Sequence, residues 1–294
     1  MKLWLSIALG ILLAFVIASI IAYLVPSADD LSPENPLWNG LTKLVSYTNA
    51  TVITYPNVNR LSASSSTLFI IGLARNLSSS EIENLKAFVE NGGALVLASE
   101  KRELNSVLKG LGLGVVVNGS LVADRLFFYK SPLFPQARAS IAQHNLTLYL
   151  NYASHLSAYG KGKCMAYTSP FSFEDLNMNG ARDSEELYGP FCIAYAEPVG
   201  KGVVYVVSDS SIFINSMIDL GSNKLFVTLL THGRRVYIAY EQAAKTPYTA
   251  FRSSVMGFYR TAFGSELRYF TAIVIGIAVY KALKVLLKGA VTKH

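Results

Sequence analysis

Thr67-Leu68-Phe69-Ile70-Ile71-Gly72, a segment over 79–90, and Ala94-Leu95-Val96-Leu97-Ala98 form the stretch on which the fold reading turns. The first and third pieces are short, apolar runs, as strands covered on both faces must be. Between them Ile82, Leu85, Phe88 and Val89 recur at helical spacing, Ser79 and Ser80 offer caps, and Asn91-Gly92-Gly93 stops the helix. Strand, helix, strand in this order predicts a parallel sheet with helices on both faces. The same reading places strands at 51–55, 163–168, 190–196, 203–208 and 236–240, and helices at 102–111 and 223–231. Residues 120–160 are harder to read, with short strands near 126–129 and 146–149 and two prolines, Pro132 and Pro135.

Both ends of the chain are apolar. Residues 3–25 are 23 in a row without a charge, closed by Pro26. Such a helix reaches roughly 34 Å, against a hydrocarbon core of about 30 Å. A secretory signal has a core of only about 7 to 15 residues, so the run reads as a retained membrane anchor rather than a cleaved leader. A second apolar run, 269–287, contains Lys281 and Lys284. It either spans, with both lysines snorkelling to the headgroups, or lies on the membrane surface. The expected organisation is therefore an N-terminal transmembrane anchor (1–26), an extracytoplasmic α/β domain (27–241), a juxtamembrane amphipathic helix (242–265) and a C-terminal transmembrane helix with tail (266–294). The expected location is the cell membrane, with two spans and both termini cytoplasmic.

The net charge of +7 belongs largely to the ends. Lys2, Arg268, Lys281, Lys284, Lys288 and Lys293 against Glu266 leave the middle near neutral. No basic stripe interleaved with aromatics appears, which excludes nucleic acid as the expected partner. Over 247–263, Tyr248, Phe251, Val255, Phe258, Tyr259 and Ala262 fall on one helical face. That face can pack on its own domain, lie on a membrane, or dock another subunit.

The segment Asp175-Leu176-Asn177-Met178-Asn179-Gly180-Ala181-Arg182-Asp183-Ser184-Glu185-Glu186 matches a twelve-residue calcium loop. Asp175, Asn177, Asn179 and Asp183 supply oxygens at positions 1, 3, 5 and 9, Gly180 makes the turn, and Glu186 closes the shell. The flanks read as strands rather than helices, so the expected cofactor is a structural calcium ion on a hairpin. The alternative is an Asn-Gly turn with solvated acids. Cys164 and Cys192 are the only cysteines; in an oxidising compartment they pair as a disulfide, and otherwise they are buried free thiols. Asn49, Asn76, Asn118 and Asn145 begin Asn-x-Ser/Thr acceptors for glycosylation.

Catalytic motifs are absent. There is no Gly-x-Ser-x-Gly elbow, no His-Glu-x-x-His and no phosphate-cradling loop. His144, His155 and His232 are scattered and read as structural. Asp209, Ser210 and Asn215 follow the strand at 203–208, where open α/β sheets place ligands and where helix caps and Asx turns also occur.

Asp30-Leu31-Ser32-Pro33-Glu34-Asn35-Pro36-Leu37-Trp38-Asn39-Gly40, with Gly189-Pro190-Phe191 and the run from Gly200 to Asn215, resembles uncharacterised prokaryotic membrane proteins with a type-1 glutamine-amidotransferase-like ectodomain. The likeness covers 28–240. It implies a flavodoxin-like, glutamine-amidotransferase-like, mostly parallel sheet between two transmembrane helices. It also implies kinship with gliding-motility and intraflagellar-transport domains that have lost amidotransferase catalysis and bind partners or glycans. Genes of the resembled group often sit beside MoxR-type ATPases, so the resemblance also implies a role in envelope assembly or maturation. Neither Ile70-Ile71-Gly72-Leu73-Ala74 nor Leu97-Ala98-Ser99-Glu100 supplies the family's nucleophile elbow, and Tyr240-Glu241-Gln242-Ala243 keeps only the acid of an acid–histidine pair. The expected function is a non-catalytic binding or scaffold subunit of a cell-envelope complex, working with the membrane, other envelope proteins and glycans. The alternatives are a hydrolase with a pocket near Asp209 and an accessory subunit of a transporter.

Overall fold

The computed structural model describes residues 2–73, 75–241 and 247–263. The chain divides into two compact units, Met1–Pro26 with Lys245–His294, and Ser27–Ala244. In the first, helices α1 (Lys2–Leu24) and α6 (Pro247–Phe263) meet through aromatic rings. Phe15 lies edge-on to Phe251 at 6.4 Å, Tyr23 lies 5.2 Å from Tyr259, and the Tyr248 hydroxyl donates to the Val25 carbonyl. The face of α6 singled out in the sequence thus packs on α1 through Phe251 and Tyr259, while Phe258 is exposed.

The expectation of a sheet held between two transmembrane helices, in a cell membrane with both termini cytoplasmic, is corrected here. Among the described residues no helix is long and apolar enough to cross a membrane. A span needs about 20 consecutive apolar residues. The run at 269–287 lies outside the described residues.

The second unit carries α2 (Thr42–Thr48), β1 (Thr51–Ile53), β2 (Ser66–Ile71), α3 (Ser79–Glu90), β3 (Ala94–Ala98), α4 (Leu104–Gly110) and β4 (Val115–Val117). Next come β5 (Leu121–Ala123), β6 (Phe128–Tyr129), β7 (Ser131–Ile141), β8 (His144–Tyr149), β9 (Leu156–Ala158), β10 (Lys163–Thr168) and β11 (Phe173–Asp175). It closes with β12 (Cys192–Val199), β13 (Gly202–Val207), α5 (Asn223–Thr231) and β14 (Arg235–Ala239).

Twelve strands form one sheet in the order β1-β14-β2-β3-β13-β12-β10-β7-β6, with β8 on β7, β9 on β12 and β4 on β9. The run β1-β14-β2-β3-β13 is parallel. From β12 onward the pairings are antiparallel, so the sheet is mixed rather than mostly parallel. Strands β5 and β11 pair separately.

The central strands are buried on both faces, and alternation sorts their side chains into two cores. Phe69, Ile71, Val96, Tyr205 and Val207 face α2 and α5, packing with Leu44, Phe226 and Leu230. Leu68, Ile70, Leu95, Leu97, Val204 and Val206 face α3 and α4, packing with Leu85, Phe88, Val107 and Leu108. Helix α3 starts one residue earlier than Ser79 suggests. Ser78 is the cap, accepting from the Glu81 N–H while the Glu81 carboxylate accepts from the Ser78 N–H. The two prolines of β7 precede the segment that pairs on both sides: Pro132 and Pro135 serve as carbonyl acceptors for Asp124 and Leu150, roles that need no proline N–H.

Cys164 of β10 and Cys192 of β12 form a disulfide between neighbouring strands, as one sequence reading expects. The bridge closes a loop of sequence separation 28, worth about 3 to 4 kcal/mol on the loop-entropy model. Changing both cysteines to alanine is expected to lower the unfolding free energy by about that amount in urea titrations. Addition of a reductant should bring wild-type protein to the same value.

Candidate functional site

The parallel registers set four strand ends level. Ile71 pairs with Ala98, and Ala98 with Val207, while β14 runs alongside with Ile238 opposite Phe69. The residues just past those ends therefore gather at one edge: Gly72, Ser99 with Glu100, Ser208 to Ser211, and Tyr240 with Glu241. All of these but Ser208 and Asp209 line a cavity of about 650 Å³. Its other walls are the lead-in segment (Asp29, Asp30, Trp38, Asn39) and the side of the antiparallel extension (Phe134, Asn151, Tyr152). The carboxyl edge of an open α/β sheet is where such folds hold ligands.

Asp209 does not line the cavity; it lies beneath the floor with no exposed surface. Its carboxyl accepts the N–H groups of Asn151 at 2.9 Å and Ser211 at 2.8 Å. Burial pushes it up to about 8 against the pull of those N–H groups, with the nearby Glu100 charge adding to the rise. Ser210 reaches the floor but is 3% exposed, and its hydroxyl donates to Glu100 Oε2 at 2.7 Å. Asn215 faces the lead-in segment instead, donating to the Asn35 and Leu37 carbonyls and accepting from the Lys43 N–H. Of the three residues predicted for a ligand, only Ser210 touches the cavity. Asn223 has a role like that of Asn215, holding Tyr149 of β8 by both its N–H and its carbonyl.

The sequence reading missed Glu100 as a wall residue, along with Asp29, Asp30, Trp38, Asn151 and Tyr152. Glu100 carries the same signal as Asp209, a polar side chain just past a buried strand. Glu241, the acid singled out in the sequence, lines the cavity and is paired with Arg75 at 2.7 Å. Arg75 also holds Glu81, whose carboxyl is kept at about 2 by that guanidinium.

The calcium expectation at 175–186 is corrected. Among the described residues no three or more His, Cys, Asp or Glu side chains form a group that could hold a metal ion. The loop closes on its own donors. Asp175 accepts from the Asn179 and Gly180 N–H groups, and Glu186 accepts from those of Leu176 and Asp183. Asp183 Oδ2 takes the side-chain amides of Asn177 and Asn179. Arg182, at the position where such loops carry an aliphatic residue, folds back over the Tyr188 ring at 4.2 Å.

Two of the histidines have side-chain partners: His155 bonds Glu174 at 2.5 Å, and His232 bonds the Tyr205 hydroxyl. Among the acceptor asparagines, Asn49, Asn76 and Asn145 are exposed. Asn118 is half-buried, its amide engaged by the His155 ring and Ser157.

No curated protein matches this chain. Among solved structures it is similar to the mmIFT52 N-terminal domain, at 17% identity and a TM-score of 0.45, over 60% of this chain and 78% of that one. It is also similar to a β-galactosidase from Bacillus circulans sp. alkalophilus (13% identity, TM-score 0.36, 58% of this chain and 23% of that one). A thua-like protein from Bacteroides uniformis matches at 14% identity and a TM-score of 0.34, over 62% of this chain and 72% of that one. These likenesses are distant. A family model described as a domain of unknown function, DUF4350, matches residues 33–231, and the chain belongs to that family.

Proposed function

We propose that this chain is a non-catalytic binding subunit whose ligand enters the cavity at the carboxyl edge of the parallel strands. One observation carries the reading: among the described residues the wall presents no histidine and no cysteine, and its strand-end polar groups are already engaged in hydrogen bonds. Ser99 Oγ accepts from the Lys101 N–H, and Ser210 is tied to Glu100. Hydrolysis needs a nucleophile and a base poised toward a substrate. The resemblance to amidotransferase-like domains that have lost catalysis agrees with this. Ser99 stands near the place where that family would set its nucleophile, yet no helix begins until Leu104.

A second reading, hydrolysis at Ser210 with Glu100 as base, is supported by their 2.7 Å bond. Against it, Glu100 Oε2 also takes the Ser210 N–H, which makes the pair a loop clamp.

Native mass spectrometry of the full chain tests the binding reading. Wild-type protein is expected to retain a co-purifying mass that the Trp38→Ala/Tyr152→Ala variant loses while keeping its circular dichroism. The same mass on both proteins would place the ligand elsewhere. Turnover of ester or peptide substrates that Ser210→Ala abolishes would establish the second reading.

A further inference from the structure

The turn between β5 and β6 shows its apolar side chains to solvent. Over 125–130 the chain reads Arg125-Leu126-Phe127-Phe128-Tyr129-Lys130, with Leu126 63% and Phe127 43% exposed. Phe171, from the turn before β11, is 58% exposed and stacks on Phe127 with ring centroids 6.3 Å apart. Single exposed apolar residues are ordinary, but here two adjoining turns bring theirs together as a patch.

The patch is held from below by one side chain. Asp124 has no exposed surface and bonds both turns. Its Oδ1 accepts the N–H groups of Leu126 and Phe127 at 2.8 and 2.9 Å, and its Oδ2 accepts the Ser169 hydroxyl. Ser169 Oγ in turn accepts the Phe171 N–H, and the Phe127 carbonyl accepts from the Gln136 N–H. The tips thus present apolar side chains while these backbone groups are satisfied from within. Lipid demands this of any backbone that enters it, because it has no group to pair with an open N–H or C=O. A protein partner would add polar contacts of its own, about one per 100–200 Å² of interface, and these donors are already spent.

Two cations bracket the run. Arg125 and Lys130 are exposed, and neither is paired with a carboxylate among the described residues. Lys130 lies over the Tyr129 ring at 5.0 Å. The nearest acid in the chain, Asp124, is buried beneath the turn. Apolar tips between cations match the boundary of acyl chains and anionic headgroups.

We propose that Leu126, Phe127 and Phe171 seat in the interfacial layer of an anionic lipid surface, with Arg125 and Lys130 on its headgroups. Such a contact lies on a bilayer and needs no helix that crosses one. None of these residues lines the cavity, so the inference does not depend on the binding reading above.

A tryptophan at the tip tests it. Leu126→Trp in the full chain is mixed with phosphatidylcholine vesicles containing about a third phosphatidylserine, and compared with wild type so that Trp4 and Trp38 cancel. The added emission is expected to shift to shorter wavelength. Brominated acyl chains should quench it at least about twofold more than wild type. Position 126 is exposed, so the fold should survive, as circular dichroism checks. Adding Arg125→Ala with Lys130→Ala, or about 0.5 M salt, should raise the lipid concentration needed at least tenfold. Phe171→Ser in the same background should do likewise. No association, or a chain held on vesicles with its tip tryptophan unquenched, overturns the inference. So does quenching that ignores both the charge substitutions and salt. A shift that grows with protein concentration in the absence of lipid overturns it in favour of a second copy of this chain.

Discussion

The stability of the wild-type chain relative to Asp209→Asn is expected to fall as pH rises from about 4 to about 8, and to level off above that. Asp209 has no exposed surface, and burial pushes it from an ordinary value of 3.8 up to about 8. The unfolded chain releases this proton near pH 4, whereas the folded chain holds it until near pH 8. Between those limits the folded state binds more protons, so each pH unit removes up to about 1.4 kcal/mol of stability. The whole interval would be worth about 6 kcal/mol; relaxation and water entry on ionisation reduce the expectation to about 3. Asparagine has the same shape but does not titrate. One of its two ends is an N–H₂ group that must face the N–H of Asn151 or Ser211, at a cost of about 1 to 2 kcal/mol. The two stability curves should therefore cross, with wild type ahead near pH 4.5 and the variant ahead near pH 8. Urea titrations of both proteins across this range give the difference directly. A flat difference would mean that the N–H groups outweigh burial and that Asp209 is ionised in the folded chain.

Local patterns in the sequence carried the parallel core well. Residues 67–98 are apolar enough to be strands covered on both faces, and the four strand ends meet as the alternation predicts. The start of α3 was off by one because Ser78, Ser79 and Ser80 all suit a cap. Glu81 settles it, being three residues after Ser78 and so able to bond back to it. Strand β7 was obscured by Pro132 and Pro135, whose backbone positions need carbonyls only. The cysteine pairing rests on β10 lying beside β12, as strands on either side of the 175–186 loop suggest. At 175–186 the spacing of oxygens was right for calcium, but spacing does not say what the oxygens accept, and here they accept the loop's own N–H groups. Asp209, Ser210 and Asn215 share one local signal, a polar side chain past a strand end. Their roles separate only through partners far along the chain: Asn151, Glu100 and Asn35.

Asn215→Ala is expected to lower stability by about 3 to 4 kcal/mol and to abolish ligand binding in the cavity. The wall made by Asp29, Asp30, Trp38 and Asn39 has no strand of its own. Inside, it is held by the Asn35 amide, which donates to the Asp29 carbonyl and to Asn39 Oδ1. It meets the sheet at Asn215, whose amide donates to the Asn35 and Leu37 carbonyls at 3.0 and 2.6 Å. Asn215 Oδ1 accepts from the Lys43 N–H and the Thr42 hydroxyl, at the first turn of α2. The backbone adds two bonds, from Asn215 N to the Gly40 carbonyl and from Ser216 N to the Trp38 carbonyl. Approach here is close: a Cβ on Gly40 would lie 1.9 Å from the Asn35 carbonyl oxygen. Alanine at 215 leaves the Asn35 carbonyl, one N–H and one hydroxyl without partners, each worth about 1 to 3 kcal/mol where water is kept out, while the Leu37 carbonyl keeps only the Gly40 N–H. Solvent reaching part of the segment brings the sum down to the stated range. Asn215→Asp separates bonding from size, because it keeps Oδ1 for Lys43 but turns a carboxylate oxygen toward two carbonyls. It should be at least as unstable as the alanine variant at pH 7 and recover below pH 4, where the protonated acid can donate. An alanine variant within 1 kcal/mol of wild type would show that the two backbone bonds alone hold the wall.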